Sequence, residues 1–347
     1  MLRIDFINVG DGDAVLVRLR RPGRPNPEEE YVLLVDCGRP EVESVPGSRR
    51  TSAEAYLRRC GVDHIDLLLL THLHFDHIGG ALSLLAHFPV RALMTGYYPP
   101  PGAGRPAAPA GAEKTVVGLY GALAMLYDIV ALARERGTAC LSVPPMPVLV
   151  AAGLELAIRR PLPLLALREQ VLMDRIYGGW DCTDAELFEA SKGRNCTSLI
   201  TRLGYAGASV LLTGDAYAPC WEEAGEPPCD VLKLPHHGDG KSMTEPLLKS
   251  LSPRYAVISC QSDPPPHKQR PQEDVVAMLL RHVPHVLCTE NRAMPQLAAV
   301  SHDAVRFVID PQGRLRCLEV PGGERPGADR IPPLPGRRMQ RHIHKTI

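Results

Sequence analysis

At 347 residues the chain has length for one large domain or two small ones, with ample room for a buried core. Lys+Arg and Asp+Glu both total 39, so formal net charge is zero and no whole-protein field draws in nucleic acid or an anionic membrane, although a local basic groove is compatible with that balance. Aromatic residues make up only 5%, which weakens the case for a base-stacking platform.

Ten cysteines are scattered without any Cys-x-x-Cys pair, which argues against a zinc ribbon or a thioredoxin-like motif. Many stand among apolar neighbours, as in Val257-Ile258-Ser259-Cys260, and are expected to be buried free thiols in a reducing cytosol. Met1-Leu2-Arg3-Ile4-Asp5-Phe6 has no basic segment followed by an apolar one, so no signal peptide is visible. Residues 115–133 are almost uncharged and nearly long enough to span a bilayer. Asp128 interrupts them and Gly118 and Gly121 dilute them, so a buried or amphipathic helix is predicted. The expectation is a soluble, cytoplasmic protein with no membrane partner.

In chain order, strands are predicted over 3–9 and 14–19, around the turn Gly10-Asp11-Gly12-Asp13. A polar, Pro-rich hairpin loop over 21–30 leads to a strand over 31–35 that ends at Asp36-Cys37-Gly38. A helix near 52–60 precedes the apolar strand 65–70, a helix over 78–88 and a short strand over 91–94. Residues 99–112 read as an exposed loop rich in Pro, Ala and Gly, followed by the apolar helix from about 115. A hairpin is expected over 148–158, and 159–194 reads as an irregular cap or substrate-facing insertion. The second half repeats the pattern: a hairpin of 198–203 and 209–212 closed by Thr213-Gly214-Asp215, a strand over 230–234 ending at Pro235-His236-His237-Gly238, a strand over 255–260 and a helix over 274–282. Strands at 286–289, 304–309 and 315–320 are expected to complete a sheet. From 321 the chain is Pro-, Gly- and Arg-rich and is predicted to be a disordered tail, with a basic cluster at Arg337, Arg338, Arg341, His342, His344 and Lys345. Strands and helices in both halves, with polar residues at strand ends, fit an α/β protein built as an αββα sandwich.

The most informative segment is Thr71-His72-Leu73-His74-Phe75-Asp76-His77-Ile78-Gly79-Gly80, directly after the strand at 65–70. A tight turn there throws three imidazoles and one carboxylate toward one point, and these are ligands that suit zinc and similar divalent ions. His72 and His74 can reach one ion, and Asp76 and His77 a second at about 3.5–4 Å, the spacing of two-metal hydrolytic sites. Two later strand ends join the set: Asp215, after a glycine that permits a tight turn, and the adjacent pair His236-His237. Asp36 ends the third strand, where a carboxylate can orient a ligand histidine by accepting its second N–H.

The order Asp36, Thr71-His72-x-His74-x-Asp76-His77-x-Gly79-Gly80, Gly214-Asp215 and His236 resembles the metallo-β-lactamase superfamily. More narrowly, Val9-Gly10-Asp11-Gly12-Asp13-Ala14, Leu33-Leu34-Val35-Asp36-Cys37-Gly38, Asn195-x-x-Ser198-Leu199, Leu212-Thr213-Gly214-Asp215 and Leu232-Lys233-Leu234-Pro235-His236-His237-Gly238 resemble the hydrolase domain of the ComEC/Rec2 competence proteins, here as a stand-alone, soluble chain. The resemblance implies an αββα sandwich of two mixed β-sheets with outer helices, as one domain over 1–320 with insertions at about 97–145 and 160–194. It also implies a dinuclear site, with His72 and His74 on one metal, Asp76, His77 and His236 on the other, and Asp215 between them. His237 is the alternative ligand or a residue behind the ligands. Zinc is the expected metal and manganese the alternative. Asp76, Asp215 and Asp36 form the implied catalytic set, and a hydroxide bridging the metals is the implied nucleophile.

The chain departs from these relatives in places. Many superfamily members add a third histidine to the first metal. Only His87 lies in the interval, inside an apolar helix, and it reads as a packed helix residue. Competence-type domains carry Asn-x-x-Ser instead, as Asn195 and Ser198 do here, and usually His-His-Gly-Ser, where this chain has Asp239. Their transmembrane channel has no counterpart in this chain, so DNA uptake is not implied. Candidate substrate contacts are Asn195, Ser198, Lys233, Lys241, Ser242 and His267. A basic lining would draw on Arg175, Lys192, Arg194, Lys233 and Lys241.

The leading reading is a phosphodiesterase, nuclease-like in chemistry, with nucleic acid among the candidate partners. The second keeps the site but changes the bond, to an ester, thioester or lactone, and would be favoured by apolar walls from the region 154–172. The third is a non-catalytic, metal-binding regulatory module. Nothing in the sequence indicates an oligomeric state.

Overall fold

The computed structural model describes residues 1–20, 30–43, 45–151, 153–263 and 270–320. Most of the expected loop at 21–30, and the whole tail from 321 with its basic cluster, lie outside the described residues.

Among the described residues, eight strands form a first sheet in the order Leu315–Val320, Ala304–Ile309, Leu2–Ile7, Val15–Leu19, Tyr31–Val35, Ile65–Leu70, Val90–Thr95 and Ala139–Leu141. Seven form a second: His285–Cys288, Tyr255–Ile258, Val231–Lys233, Ala208–Leu212, Ile200–Tyr205, Leu154–Arg159 and Val148–Ala151. Both mix parallel and antiparallel pairs.

The near-continuous apolar runs of the central strands have a direct cause, because each is buried on both faces. In Ile65–Leu70, for example, Ile65, Leu68 and Leu70 pack toward the outer helices, while Leu67 and Leu69 enter the apolar layer between the sheets. A third apolar layer joins the second sheet to the helices Glu245–Leu251 and Glu273–His282. Three cores between four layers make an αββα sandwich.

The hairpin Ala304–Ile309/Leu315–Val320, whose sheet the sequence left open, belongs to the first sheet, pairing antiparallel with Leu2–Ile7. Val305, Phe307 and Ile309 share the inner apolar layer with Leu2, Ile4 and Phe6, so the hairpin completes the face begun by the N-terminal strand. Several other sequence expectations are corrected. The helix expected over 78–88 breaks at Gly79-Gly80 into Phe75–Ile78 and Ala81–His87, and His87 is exposed, with Nδ1 3.2 Å from Glu54. Cys196 and Cys220 are disulfide-bonded and not free thiols. The strand Ala139–Leu141 and the helix Glu245–Leu251 were not anticipated.

The segment read as irregular, 159–194, holds the helices Pro163–Tyr177 and Asp184–Gly193. Their mixed composition hides the period, but Thr183 and Glu186 form a reciprocal capping box at the second helix start. The helix Lys114–Glu135 is long and apolar enough to cross a bilayer, yet half of its most apolar stretch is buried inside the fold. Leu119, Leu123, Leu126 and Ile129 pack into the outer core, and Tyr177 of the next helix donates to the carbonyl of Leu123 at 2.6 Å. The two insertions thus stack on one another over one end of the first sheet.

Phe307 tests the inner layer. Its ring meets Phe6 edge-on at 5.8 Å and Tyr255 of the opposite sheet at 5.2 Å, so it ties the C-terminal hairpin to both sheets. Phe307→Ala is expected to destabilise the fold by about 3–5 kcal/mol in urea denaturation; a loss below about 1 kcal/mol would show that the hairpin is peripheral.

Candidate metal centre

Parallel pairing sets up the centre. Tyr31–Val35 runs parallel to Ile65–Leu70, and Ala208–Leu212 runs parallel to Val231–Lys233, so in each sheet two carboxyl ends emerge side by side. These ends carry Asp36 and His72 in the first sheet, and Asp215 and His236-His237 in the second. The amide of Leu199 donates to the carbonyl of Thr71 at 2.9 Å and stitches the two sheet ends together. Gly214, at φ +52°, allows the close approach: a Cβ there would stand 3.0 Å from both Ser198 Cβ and Thr71 Oγ1. A Cβ on Gly12 would lie 2.4 Å from the carbonyl oxygen of Asp76, so only glycine lets that turn lie under the motif.

The side chains converge on Asp215. One group of metal-competent atoms comprises His72, His74 and Asp215, and another Asp76, His77, Asp215 and His237. Asp215 Oδ2 stands 3.2 Å from His77 Nε2, 3.7 Å from His237 Nε2 and 3.8 Å from His72 Nε2. His237 Nε2 is 3.4 Å from Asp76 Oδ2, and His72 Nε2 is 3.0 Å from His74 Nδ1.

Hydrogen bonds behind the rings fix which nitrogen faces inward. His77 Nδ1 donates to Asp36 Oδ2 at 2.7 Å, and His237 Nδ1 to the carbonyl of Ser259 at 2.9 Å. His72 Nδ1 lies 3.1 Å from Thr71 Oγ1, which itself donates to Asp36 Oδ2 at 2.7 Å. Asp36 therefore positions His77 directly and His72 through Thr71. Its own place depends on a left-handed backbone, φ 56°, held by the Thr71 amide donating to Oδ1 at 2.8 Å.

These residues fit a divalent cation. Nε2 of His77 and of His237 and Oδ1 of Asp215 are buried without a hydrogen-bond partner. Buried polar atoms of this kind are normally satisfied, and a set aimed at one point is what a cation requires. The charge balance agrees. Burial alone would raise the carboxyl of Asp215, yet His77, His237 and Lys233 hold it well below its ordinary value. Asp76 is likewise lowered against its burial, by the neighbouring imidazoles of His237 and His77. Burial opposes protonation of His237, but Asp215 and Asp76 overrule it and push the imidazole up to about 9. Burial, with its neighbouring imidazoles, drives His72 the other way, well below the usual histidine value.

Two features depart from the sequence reading. His236, placed in the ligand set with His237 as alternative, lies outside both groups, and His237 takes the inward position. Both residues have left-handed backbones, φ 45° and 54°, which turn the His236 ring against Tyr217, 4.9 Å between centroids, and leave its Nδ1 3.9 Å from Asp239. Lys233, read as a substrate contact, is buried, ion-paired with Asp13 and donating to the carbonyl of Gly214 at 2.9 Å. It supports the Asp215 loop from behind and cannot touch substrate.

The remaining candidates divide. Ser198 is fully buried and accepts from the Asp215 amide at 3.2 Å. Ser242 is fully buried, and Lys241 is exposed. Asn195 is buried, donates to Tyr217 Oη at 3.0 Å and leaves its carbonyl oxygen unpaired. Arg175 pairs with Glu186 at 2.6 Å, away from the centre. His267 and the side chain of Lys192 lie outside the described residues.

Asp13 was missed. It is buried, its Oδ2 lies 3.7 Å from His77 Nδ1, and its backbone N–H donates to the Asp76 carbonyl at 3.1 Å. Gly-Asp-Gly-Asp reads locally as a turn, and nothing in it signals that the second aspartate folds under the motif. Also missed was a small cavity beside His72, lined by residues of the motif and of the inserted helices, among them Leu123, Met173, Ile176, Arg160, Glu169 and Arg194.

Comparisons with known proteins follow this geometry. The family model of the metallo-beta-lactamase superfamily matches residues 8–138. It is 27% identical over 312 residues to ComE operon protein 3 of Bacillus subtilis (strain 168), covering 84% of this chain; the chain spans about a third (32%) of that relative's length. A shorter stretch of 54 residues is 41% identical to Ribonuclease Z of Clostridioides difficile (strain 630), covering 16% of this chain and 14% of that protein. Among solved structures, the metallo-beta-lactamase fold protein YhfI of Bacillus subtilis aligns with 83% of this chain and 96% of its own, at 13% identity and a TM-score of 0.42.

The cavity supplies a pH test independent of the metal ligands. Burial pushes the Glu169 carboxyl up to about 7, against the hydrogen bond from Thr197 and the charge of Arg194. The unfolded carboxyl titrates near its ordinary value, so the folded state binds more protons between the two, and stability falls as pH rises through that window. Glu169→Gln removes this dependence. In urea denaturation of metal-free protein, the variant is expected to gain on wild type by up to about 3 kcal/mol between about pH 5 and about pH 8. Parallel pH profiles would contradict the shift.

Proposed function

We propose that this chain is a two-metal hydrolase of phosphodiesters, with zinc as the resident ion and manganese as its substitute. The observation that carries the reading is Asp215, a buried carboxylate shared by two groups of ligand atoms whose inward nitrogens lack hydrogen-bond partners. His72 and His74 would hold one ion, and Asp76, His77 and His237 the other, with Asp215 between them. Such ions supply Lewis acidity toward a phosphoryl oxygen and lower the pKa of coordinated water toward neutrality.

The chain's own residues do the positioning. Asp36 keeps the protons of His77 and Thr71 on its own side, so that the lone pairs of His77 and His72 face the centre. Lys233, between Asp13 and Asp215, compensates carboxylate charge without exposing a cation to solvent. Arg194 stands near Asp76 and His74, where a guanidinium can meet an anionic substrate. Asn195 and His236 each keep a buried polar atom unpaired near Tyr217, available to a substrate oxygen. The likeness to a ribonuclease Z over a short segment supports phosphodiester chemistry.

One observation favours the second reading, hydrolysis of an ester, thioester or lactone: the cavity beside His72 has the apolar walls that an acyl group needs. A direct assay separates the two. Zinc- or manganese-loaded protein is expected to hydrolyse bis-p-nitrophenyl phosphate with higher kcat/KM than p-nitrophenyl acyl esters. Asp215→Ala is expected to lower that rate more than about 100-fold, beyond the loss typical of residues behind the ligands. Preference for the acyl esters would favour the second reading, and hydrolysis of neither class would overturn both.

A further inference from the structure

Beside Asp215 lies a group of polar side chains that belongs to neither set of metal-competent atoms. Asn195 and His236 are buried, and Asn195 Oδ1 and His236 Nδ1 have no hydrogen-bond partner. Nε of Arg270 is buried and unpaired as well. Three such atoms in one neighbourhood call for a partner from outside the protein. Short distances tie them together. The Asn195 amide donates to Tyr217 Oη at 3.0 Å, and the Tyr217 ring meets His236 edge-on at 4.9 Å. His236 Nδ1 and Arg270 Nε each lie 3.9 Å from the same atom, Asp239 Oδ2, too far for a direct hydrogen bond. The charges of Arg270 and of Asp215 both reach His236 and Tyr217.

The backbone holds this arrangement in place. Asp239 Oδ1 accepts from the Lys241 amide at 3.1 Å, which leaves Oδ2 for His236 and Arg270. The Gln272 amide donates to the Gly238 carbonyl at 2.9 Å, so the chain just after Arg270 is tied to the turn just after His237. Gly238, at φ +80°, permits that approach, since a Cβ there would stand 2.6 Å from Pro271 Cβ. Arg270 is thus carried to the edge of the centre, yet neither of its terminal nitrogens has a hydrogen-bond partner among the described residues. A cation here would be repelled by the guanidinium, and an apolar group would leave every unpaired atom as it is. A phosphoryl group suits the guanidinium, whose planar fork offers parallel N–H donors to two oxygens.

We propose that Arg270, positioned by Asp239, binds a non-bridging oxygen of the substrate's phosphoryl group and so selects anionic diesters over neutral esters, an inference that rests on the phosphodiesterase reading above. The Arg270 side chain is 18% exposed and Asp239 is its nearest carboxylate, so it can move toward an anion held at the centre without breaking a hydrogen bond among the described residues. Asp239 supplies the countercharge while no substrate is bound.

The test uses the full chain loaded with zinc or manganese, with bis-p-nitrophenyl phosphate as substrate. Arg270→Ala is expected to raise KM about tenfold while lowering kcat less than about threefold, because a diester carries its negative charge before reaction as well as during it. Arg270→Lys, which keeps the charge and loses the fork, is expected to recover part of the loss. Asp239→Asn is expected to raise KM about threefold on its own and to add nothing to Arg270→Ala, as for a residue that acts through another. Partial misfolding lowers the active fraction and with it kcat but leaves KM unmoved, so a change in KM reports on binding. An unchanged KM in Arg270→Ala, a loss confined to kcat, or a lysine variant that recovers nothing overturns the inference while leaving the hydrolase intact. Additive losses in the double variant overturn the part given to Asp239. Should no phosphodiester be hydrolysed, the reaction is wrong, and calorimetric titration of the zinc-loaded protein with inorganic phosphate decides the site: binding that Arg270→Ala weakens about tenfold sustains it, and binding that is absent or insensitive refutes it.

Discussion

The structure turns on a charge problem at the end of the sandwich. Asp13, Asp36, Asp76 and Asp215 converge where the two sheets meet, and the permanent cation placed among them is Lys233. Carboxylates taken out of water demand compensation, by protons, hydrogen bonds or cations. Here Asp36 is satisfied by Thr71 and His77, and Asp13 is paired through Oδ2 with Lys233 but keeps Oδ1 unpartnered, while Asp215 faces imidazoles whose inward nitrogens have nothing to bond. In the metal-free protein, protons on His77 and His237 meet the deficit, which is why both imidazoles are raised. Divalent cations would meet it without them.

The fold makes this arrangement affordable. Strands buried on both faces are stiff and closely packed, so their carboxyl ends are fixed points from which short turns project side chains. Parallel neighbours bring two such ends together in each sheet, and the Leu199–Thr71 hydrogen bond joins the pairs. Left-handed residues at Asp36, Gly214, His236 and His237 mark where the backbone departs from ordinary turns to aim those side chains. The inserted helices stand over one side of this end and, with the motif loop, enclose a cavity of mixed polarity.

Much of this was legible in the sequence, and the reasons are physical. Strands such as Tyr31–Val35 and Ile65–Leu70 could be bounded to the residue because doubly buried runs are uninterrupted and stop at polar turns. His72, His74, Asp76 and His77 declared themselves by density, and Asp215 by its place after a buried strand. What stayed hidden depended on long-range packing. Which sheet receives the last hairpin is decided by pairing with Leu2–Ile7, some three hundred residues away. The choice of His237 over His236 rests on backbone torsions and on a carbonyl at Ser259, which no local pattern records. Asp13 looked like a turn residue and Lys233 like a substrate contact, because their burial together is a property of the assembled sheets. The helices at 163–177 and 184–193 carry mixed faces, and so lacked the period that announces a helix.

The central claim is that Asp215 stands between two cations. Anomalous diffraction from crystals of the zinc-loaded protein, recorded on both sides of the zinc absorption edge, addresses it directly. The account predicts two peaks flanking the Asp215 carboxylate, one reached by His72 and His74 and the other by Asp76, His77 and His237. A single peak away from Asp215, or none at full loading, would contradict it.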